Sequence, residues 1–71
     1  MNEPELLTKL GGKIRTIRTQ KKMTQYELAM QCEFEKASMS RIESGHSNPT
    51  LRTLHKISNA LDVRVVELFA D

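Results

Sequence analysis

The segment from Met23 to Gly45 constrains the fold of this chain more than any other. Thr24 and Glu27 form a T-x-x-E capping box, in which each side chain satisfies a free backbone donor at a helix start. Met23 just before it and Leu28 just inside can close a hydrophobic staple over the cap. A helix is therefore expected over about 25–32, with Leu28, Ala29 and Cys32 on its buried side. Ala29 is small where a neighbouring helix must cross closely. The same logic repeats with Phe34 and Met39 around Glu35, which predicts a second short helix over about 36–43. Met39 and Ile42 are its inward residues, leaving Lys36, Ala37, Ser38 and Arg41 to face out. Gly45 follows where a helix-terminating glycine belongs.

Two short helices joined by a tight turn, the second carrying polar side chains on its free face, make the layout of a helix-turn-helix. In that layout the second helix enters the DNA major groove and the first crosses the backbone. Elsewhere, Leu7, Leu10, Ile14 and Ile17 recur at helical spacing, and Pro4 suits a first turn, so a helix is expected from about Pro4 to Gln20. The loop Gly45–Pro49 is rich in turn formers. A fourth helix should run from about Thr50 to Leu61, burying Leu51, Leu54, Ile57 and Leu61. A fifth, short one should cover about Arg64–Phe69, with Val63 and Leu68 as a staple. No strand pattern, repeat or linker interrupts this order. The expectation is an all-α fold, a compact bundle of five short helices forming one domain over residues 1–71.

At 71 residues the chain can bury only a modest core and leaves no room for a second, ligand-sensing domain. It contains no run of about 18 apolar residues that would span a membrane. Its first residues lack the basic and apolar regions of a signal peptide. The single Cys32 can form no internal disulfide and reads as a small buried hydrophobe. A cytoplasmic protein is expected. The net charge is only +2, yet it is unevenly spread. Lys9, Lys13, Arg15, Arg18, Lys21 and Lys22 occur with no acid among them, whereas 62–71 is acidic on balance. That asymmetry suits a phosphate-facing side, and equally an ordinary solvated helix face. An enzyme is not expected: His46 and His55 lie on different elements, and no paired carboxylates, metal-ligand spacing or glycine-rich phosphate loop occurs. No metal or cofactor is expected.

The fifth helix carries more apolar surface than one small helix can hide, since Val65, Val66, Leu68, Phe69 and Ala70 point several ways. Such surface marks an interface. A homodimer is expected with Val65 and Phe69 as contacts, the alternative being a core capped by this segment.

Taken together, the chain resembles the Xre/Cro/C1-type helix-turn-helix family of phage repressors, Cro proteins, restriction–modification controller proteins and many antitoxins. The resemblance is carried by Ile14-Arg15 and Arg18, by Met23-Thr24-Gln25 with Glu27-Leu28-Ala29, and by Ser40-Arg41-Ile42-Glu43 with Gly45. It continues in Asn48-Pro49-Thr50-Leu51, Leu54, Ile57, Ala60-Leu61 and Val63, and spans about residues 10–69. It implies a lambda-repressor-like DNA-binding domain of bacterial or phage type that regulates transcription. By position it implies that Lys36, Ala37 and Arg41 reach base edges, with Glu35 and Ser38 near the groove. Thr24, Gln25, Ser44, His46, Ser47, Asn48 and Thr50 would lie along the DNA backbone. Arg18 and Glu43 would form an internal ion pair, which assigns Arg18 to structure rather than to DNA.

Three positions depart from the family pattern. Lys22, Glu33 and Asp62 stand where glycine is preferred, after the first, second and fourth helices. Glu35 replaces the usual serine or threonine cap. An acid suits a helix N-terminus but sits near repelling phosphates; it could instead accept from a cytosine amino group. The guanidinium fork of Arg41 matches guanine O6 and N7, a pairing worth about 1–3 kcal/mol of discrimination; a phosphate contact or a surface ion pair are the alternatives. One recognition helix reads only a few base pairs, so a dimer on a pseudo-palindromic operator is expected. The rival reading is an antitoxin-like or protein-interaction module whose main partner is a toxin or another protein.

Overall fold

Every α-helix in this chain is stopped by the same device, and that device sets the bundle's geometry. The computed structural model describes residues 1–70; Asp71, the last residue of the expected domain, lies outside the described residues. Four α-helices run over Glu3–Gln20 (α1), Gln25–Gln31 (α2), Lys36–Glu43 (α3) and Leu51–Leu61 (α4), followed by a 3-10 helix over Val65–Phe69. The described residues contain no strand, and no helix is long and apolar enough to cross a membrane. The all-α order expected from the sequence is present, with one correction. The fifth element is a 3-10 helix rather than an α-helix, closed by Glu67 N to Arg64 O at 2.9 Å. Five residues opening on the β-branched Val65 and Val66 are too few to sustain an α-helix on their own.

At the end of each α-helix a residue with positive φ bends the chain away: Lys22 (57°), Glu33 (61°), Gly45 (81°) and Asp62 (57°). The next residue's amide then reaches back five positions. Met23 N donates to Arg18 O, Phe34 N to Ala29 O, His46 N to Arg41 O and Val63 N to Ser58 O, at 2.8–3.1 Å. These are Schellman closures. Only one of the four holds a glycine, and space explains which. A Cβ on Gly45 would lie 2.9 Å from Thr8 Cα, besides being strained by its φ. Lys22, Glu33 and Asp62 are exposed and bear only the cost of the left-handed backbone, about 1 kcal/mol each. Met23, Phe34 and Val63, the residues that follow three of these bends, pack on the core. Each thus seals one helix end at the entry to the next.

The capping box at α2 is as the sequence predicts, and the structure adds caps at the starts of α1 and α4. Asn2 Oδ1 accepts from Glu5 N at 2.9 Å, and Thr50 Oγ1 from Thr53 N at 3.2 Å. In the box at α2, Thr24 Oγ1 accepts from Glu27 N at 3.0 Å while Glu27 Oε1 accepts from Thr24 N at 2.9 Å. The Thr24 amide, and after it the hydroxyl, hold the Glu27 carboxyl below the usual carboxylate range. Glu35 occupies the cap position of α3 but makes no side-chain cap hydrogen bond. Its contribution there is the charge alone.

The core gathers Leu10, Ile14 and Ile17 of α1, Leu28 and Ala29 of α2, Cys32, Met39 and Ile42 of α3, Leu54, Ile57 and Leu61 of α4, and Leu68. Cys32 is a free thiol, buried as expected, and burial pushes its pKa up against the opposing pull of Lys56. Lys56 Nζ lies 5.8 Å from the Phe34 ring centre, closing the α2–α3 turn with a cation–π contact. Leu51 departs from expectation. Its spacing places it in the core, yet it is 72% exposed. It is the first residue of α4, at the edge of the bundle, where it lines a shallow groove with Arg52, His55 and Val65.

The backbones of α1 and α3 approach closely at Gly11. A Cβ on Gly11 would lie 2.5 Å from the Glu43 carbonyl oxygen and would also collide with the Ile42 carbonyl. The neighbouring Gly12 has nothing within 4 Å of such an atom. The two glycines therefore predict opposite outcomes. Gly12→Ala should stabilise the domain by about 0.5–1 kcal/mol, the ordinary gain from removing a mid-helix glycine. Gly11→Ala should destabilise it by about 1–3 kcal/mol through overpacking against rigid backbone. Thermal unfolding of the two variants beside the wild type measures both, at roughly 4–8 °C per kcal/mol for a domain of this size.

Candidate nucleic-acid interface

The candidate surface is built outward from a buried ion pair. Arg18 on α1 and Glu43 at the end of α3 are both buried. Arg18 Nε donates to Glu43 Oε2 at 2.7 Å and Nη2 to Oε1 at 3.0 Å, a two-pronged fit of fork to carboxylate. The remaining nitrogen, Nη1, donates to the Met23 carbonyl at 2.8 Å. Gln25 Nε2 adds a hydrogen bond to Glu43 Oε1 at 3.2 Å. One guanidinium thereby ties the last turn of α1, the entry to α2 and the last turn of α3. No buried side-chain nitrogen or oxygen among the described residues lacks a partner.

With Met39, Ile42 and Glu43 turned inward, the rest of α3 is exposed. At 100° per residue, Ala37, Arg41 and Ser44 lie near the middle of the outward face, with Lys36 and Ser40 along one margin and Ser38 along the other. The cations diverge to two clefts. Lys36 lines the cleft on the α1 side with Arg15, Gln25, Ser40 and Ser44. Arg41 and Ser38 line the cleft on the other side, against Ser47, Asn48 and Thr50. Arg41 has no acid paired with it among the described residues, so the ion-pair alternative for this side chain finds no support.

The residues assigned to the DNA backbone by resemblance differ in freedom. Thr24 accepts within its capping box, and its hydroxyl hydrogen has no acceptor there. Gln25 is half-buried and commits one amide hydrogen to Glu43. Ser44 Oγ donates to the Arg41 carbonyl at 3.1 Å and also meets His46 Nδ1 at 3.1 Å. Asn48 Nδ2 reaches Glu3 Oε1 at 3.5 Å, a long contact that joins the loop to the start of α1. Thr50 Oγ1 donates to Thr53 Oγ1 at 3.1 Å besides capping α4. Glu35 and Ser47 make no side-chain hydrogen bond among the described residues.

Two residues of this surface are not evident from the sequence. Ser40 is one helical turn beyond Lys36 and shares its margin, which angular counting along α3 would reveal. Arg15 is one of six cations on and beside the first helix; the resemblance sets Arg18 apart as structural but assigns no DNA contact to Arg15 or to the other four. On α4 and the 3-10 helix, Leu51, Val66 and Phe69 are exposed, and Val65 is half-buried beside Leu51. No group of three or more histidine, cysteine or acidic side chains among the described residues could hold a metal.

Beyond this geometry, residues 14–68 match the helix-turn-helix family. The chain belongs to that family, in its Xre/Cro/C1-type branch. It is 41% identical over 59 residues to the control protein C.BamHI of Bacillus amyloliquefaciens, across 82% of this chain and 73% of that protein. It is 34% identical over 56 residues to the immunity repressor of Bacillus phage phi105, and the match spans only 39% of that repressor's length. Among solved structures, the controller protein C.AhdI of Aeromonas hydrophila superposes with a TM-score of 0.87 at 33% identity, over 89% of this chain and 96% of that one. The controller protein C.Esp1396I, solved as a tetramer on its natural 35 base-pair operator, superposes at 0.82 with 36% identity, over 90% of this chain and 84% of that one. The family is one of DNA-binding transcriptional regulators rather than enzymes.

The ion pair is a stability element with a measurable signature. Glu43→Ala would leave the Arg18 guanidinium buried with only the Met23 carbonyl, and should cost about 3–5 kcal/mol. Replacing both partners by apolar residues, Arg18→Met with Glu43→Leu, should cost much less than the sum of the two single changes. Urea unfolding of the single and double variants reads this non-additivity directly.

Proposed function

We infer that this protein is a transcriptional regulator of the repressor or controller type that binds a pseudo-palindromic operator as a homodimer. The observation that carries the reading is the exposed face of α3. It has an unpaired arginine near its centre, a polar cleft on one flank and a mixed cleft with Ser47, Asn48 and Thr50 on the other, and the Arg18–Glu43 pair holds it against α1. Arg41 reads guanine through its fork, and Ala37 leaves room for a base edge or a thymine methyl group. Lys36, Ser38 and Glu35 stand at the margins of that contact. Thr24, Gln25, Ser44, His46, Ser47, Asn48 and Thr50 follow the sugar–phosphate backbone and fix register without reading sequence.

A second copy meets the first through Val65 and Phe69. Leu51 and Val66 extend that surface, which gives the unexpected exposure of Leu51 a purpose. The names of the controller proteins and of the phage repressor support the same reading. No observation favours a toxin partner.

Selection of bound duplexes from a random pool at moderate salt should return a pseudo-palindrome. Arg41→Ala should then lose preference at one base pair per half-site, lowering the ratio of specific to random binding by about 1–3 kcal/mol for each half-site. An unchanged ratio would remove Arg41 from base reading. Sedimentation should show a dimer for the wild type and a shift towards monomer for Phe69→Ala. A wild type that stays monomeric at high concentration would count against the interface.

A further inference from the structure

We propose that the cleft between α1 and α3, lined by Arg15, Lys36 and Ser40, holds one DNA backbone phosphate, so that Arg15 is a DNA-contacting residue from outside the two helices of the motif. The inference deepens the DNA-binding reading and rests on it. The cleft's charged lining consists of three cations, Arg15, Arg18 and Lys36, and one carboxylate, Glu43. That carboxylate does not oppose an incoming anion. Its oxygens take the Arg18 fork at 2.7 and 3.0 Å and the Gln25 amide at 3.2 Å, so its charge is answered within the protein. Arg15 and Lys36 are exposed and have no ion-pair partner among the described residues. Two uncompensated cations, from different helices, therefore converge on a polar recess beside the recognition face, with the Ser40 hydroxyl in the same lining as a further donor. A tetrahedral anionic oxygen group matches that donor set.

Placement separates Arg15 from the other basic residues of its helix. Lys13 is two positions away, about 160° around α1, and takes no part in the cleft. The same geometry moves Lys36 from the base edge to the backbone. The two clefts then face the two walls of one major groove: Arg15 and Lys36 meet one strand, and the loop around Ser47 and Asn48 meets the other.

The test compares Arg15→Ala with Lys13→Ala, which removes the same charge from the other flank of α1. Affinity is measured for the selected operator and for a random duplex over a range of salt. Arg15→Ala should weaken both duplexes by the same factor and lower the magnitude of the log–log salt slope by about 0.9 for each phosphate that a bound chain no longer neutralises. Lys13→Ala should change the slope much less, and Arg15→Lys should restore most of it. Operators carrying a single uncharged methylphosphonate should include one position at which wild type and Arg15→Ala bind alike. Unequal weakening on the two duplexes would overturn the proposal in favour of base reading by Arg15. Equal behaviour of Arg15→Ala and Lys13→Ala would overturn the cleft assignment while leaving the regulator reading intact. A wild type without affinity for any duplex would overturn both.

Discussion

The arrangement of this domain depends on one guanidinium. Arg18 reaches across from α1 to grip the carboxylate at the end of α3, and its third nitrogen holds the carbonyl of Met23 at the threshold of α2. The end of α1, the entry to α2 five residues on and the end of α3 25 residues away are thereby fixed with respect to one another by groups that cannot be left unpaired without a large penalty. A purely apolar contact would hold the same helices together but would allow them to slide. The fork of an arginine against a carboxylate admits one relative orientation, and that orientation turns the remaining side chains of α3 outward.

Much of this was legible in the sequence, because the local signals agree with one another. The capping box at Thr24, the staple residues Met23, Phe34 and Val63, and the helical spacing of Leu10, Ile14 and Ile17 all point to the same boundaries. Three unusual positions, Lys22, Glu33 and Asp62, each adopt the left-handed backbone that their place in the order demands. What escaped the sequence depends on distances between elements. Leu51 has core spacing but sits where α4 runs past its neighbours, so periodicity alone overstates its burial. Gly11 looks like any mid-helix glycine until the carbonyls of α3 are seen against it. Arg15 is one cation among six until its cleft is found.

The two surfaces of the domain are divided by chemistry. On one side, cations and small hydroxyls border α3, with Phe34, Ile42 and Pro49 in one of its clefts. On the other, Leu51, Val66 and Phe69 present hydrocarbon to solvent. Other apolar side chains left in solvent are spread along the chain, with Leu6 on α1 and Tyr26 and Met30 on α2.

The close approach at Gly11 bears on how sharply a surface can discriminate. There the backbones of α1 and α3 touch with no side chain between them, so no rotamer hop can widen or narrow the gap. The position of α3 is thus inherited from the stiffest parts of the chain. Whatever partner α3 meets encounters a surface whose ordering cost fell on folding rather than on association. A close backbone contact of this kind leaves little room for the helix to shift towards a poorly matched shape.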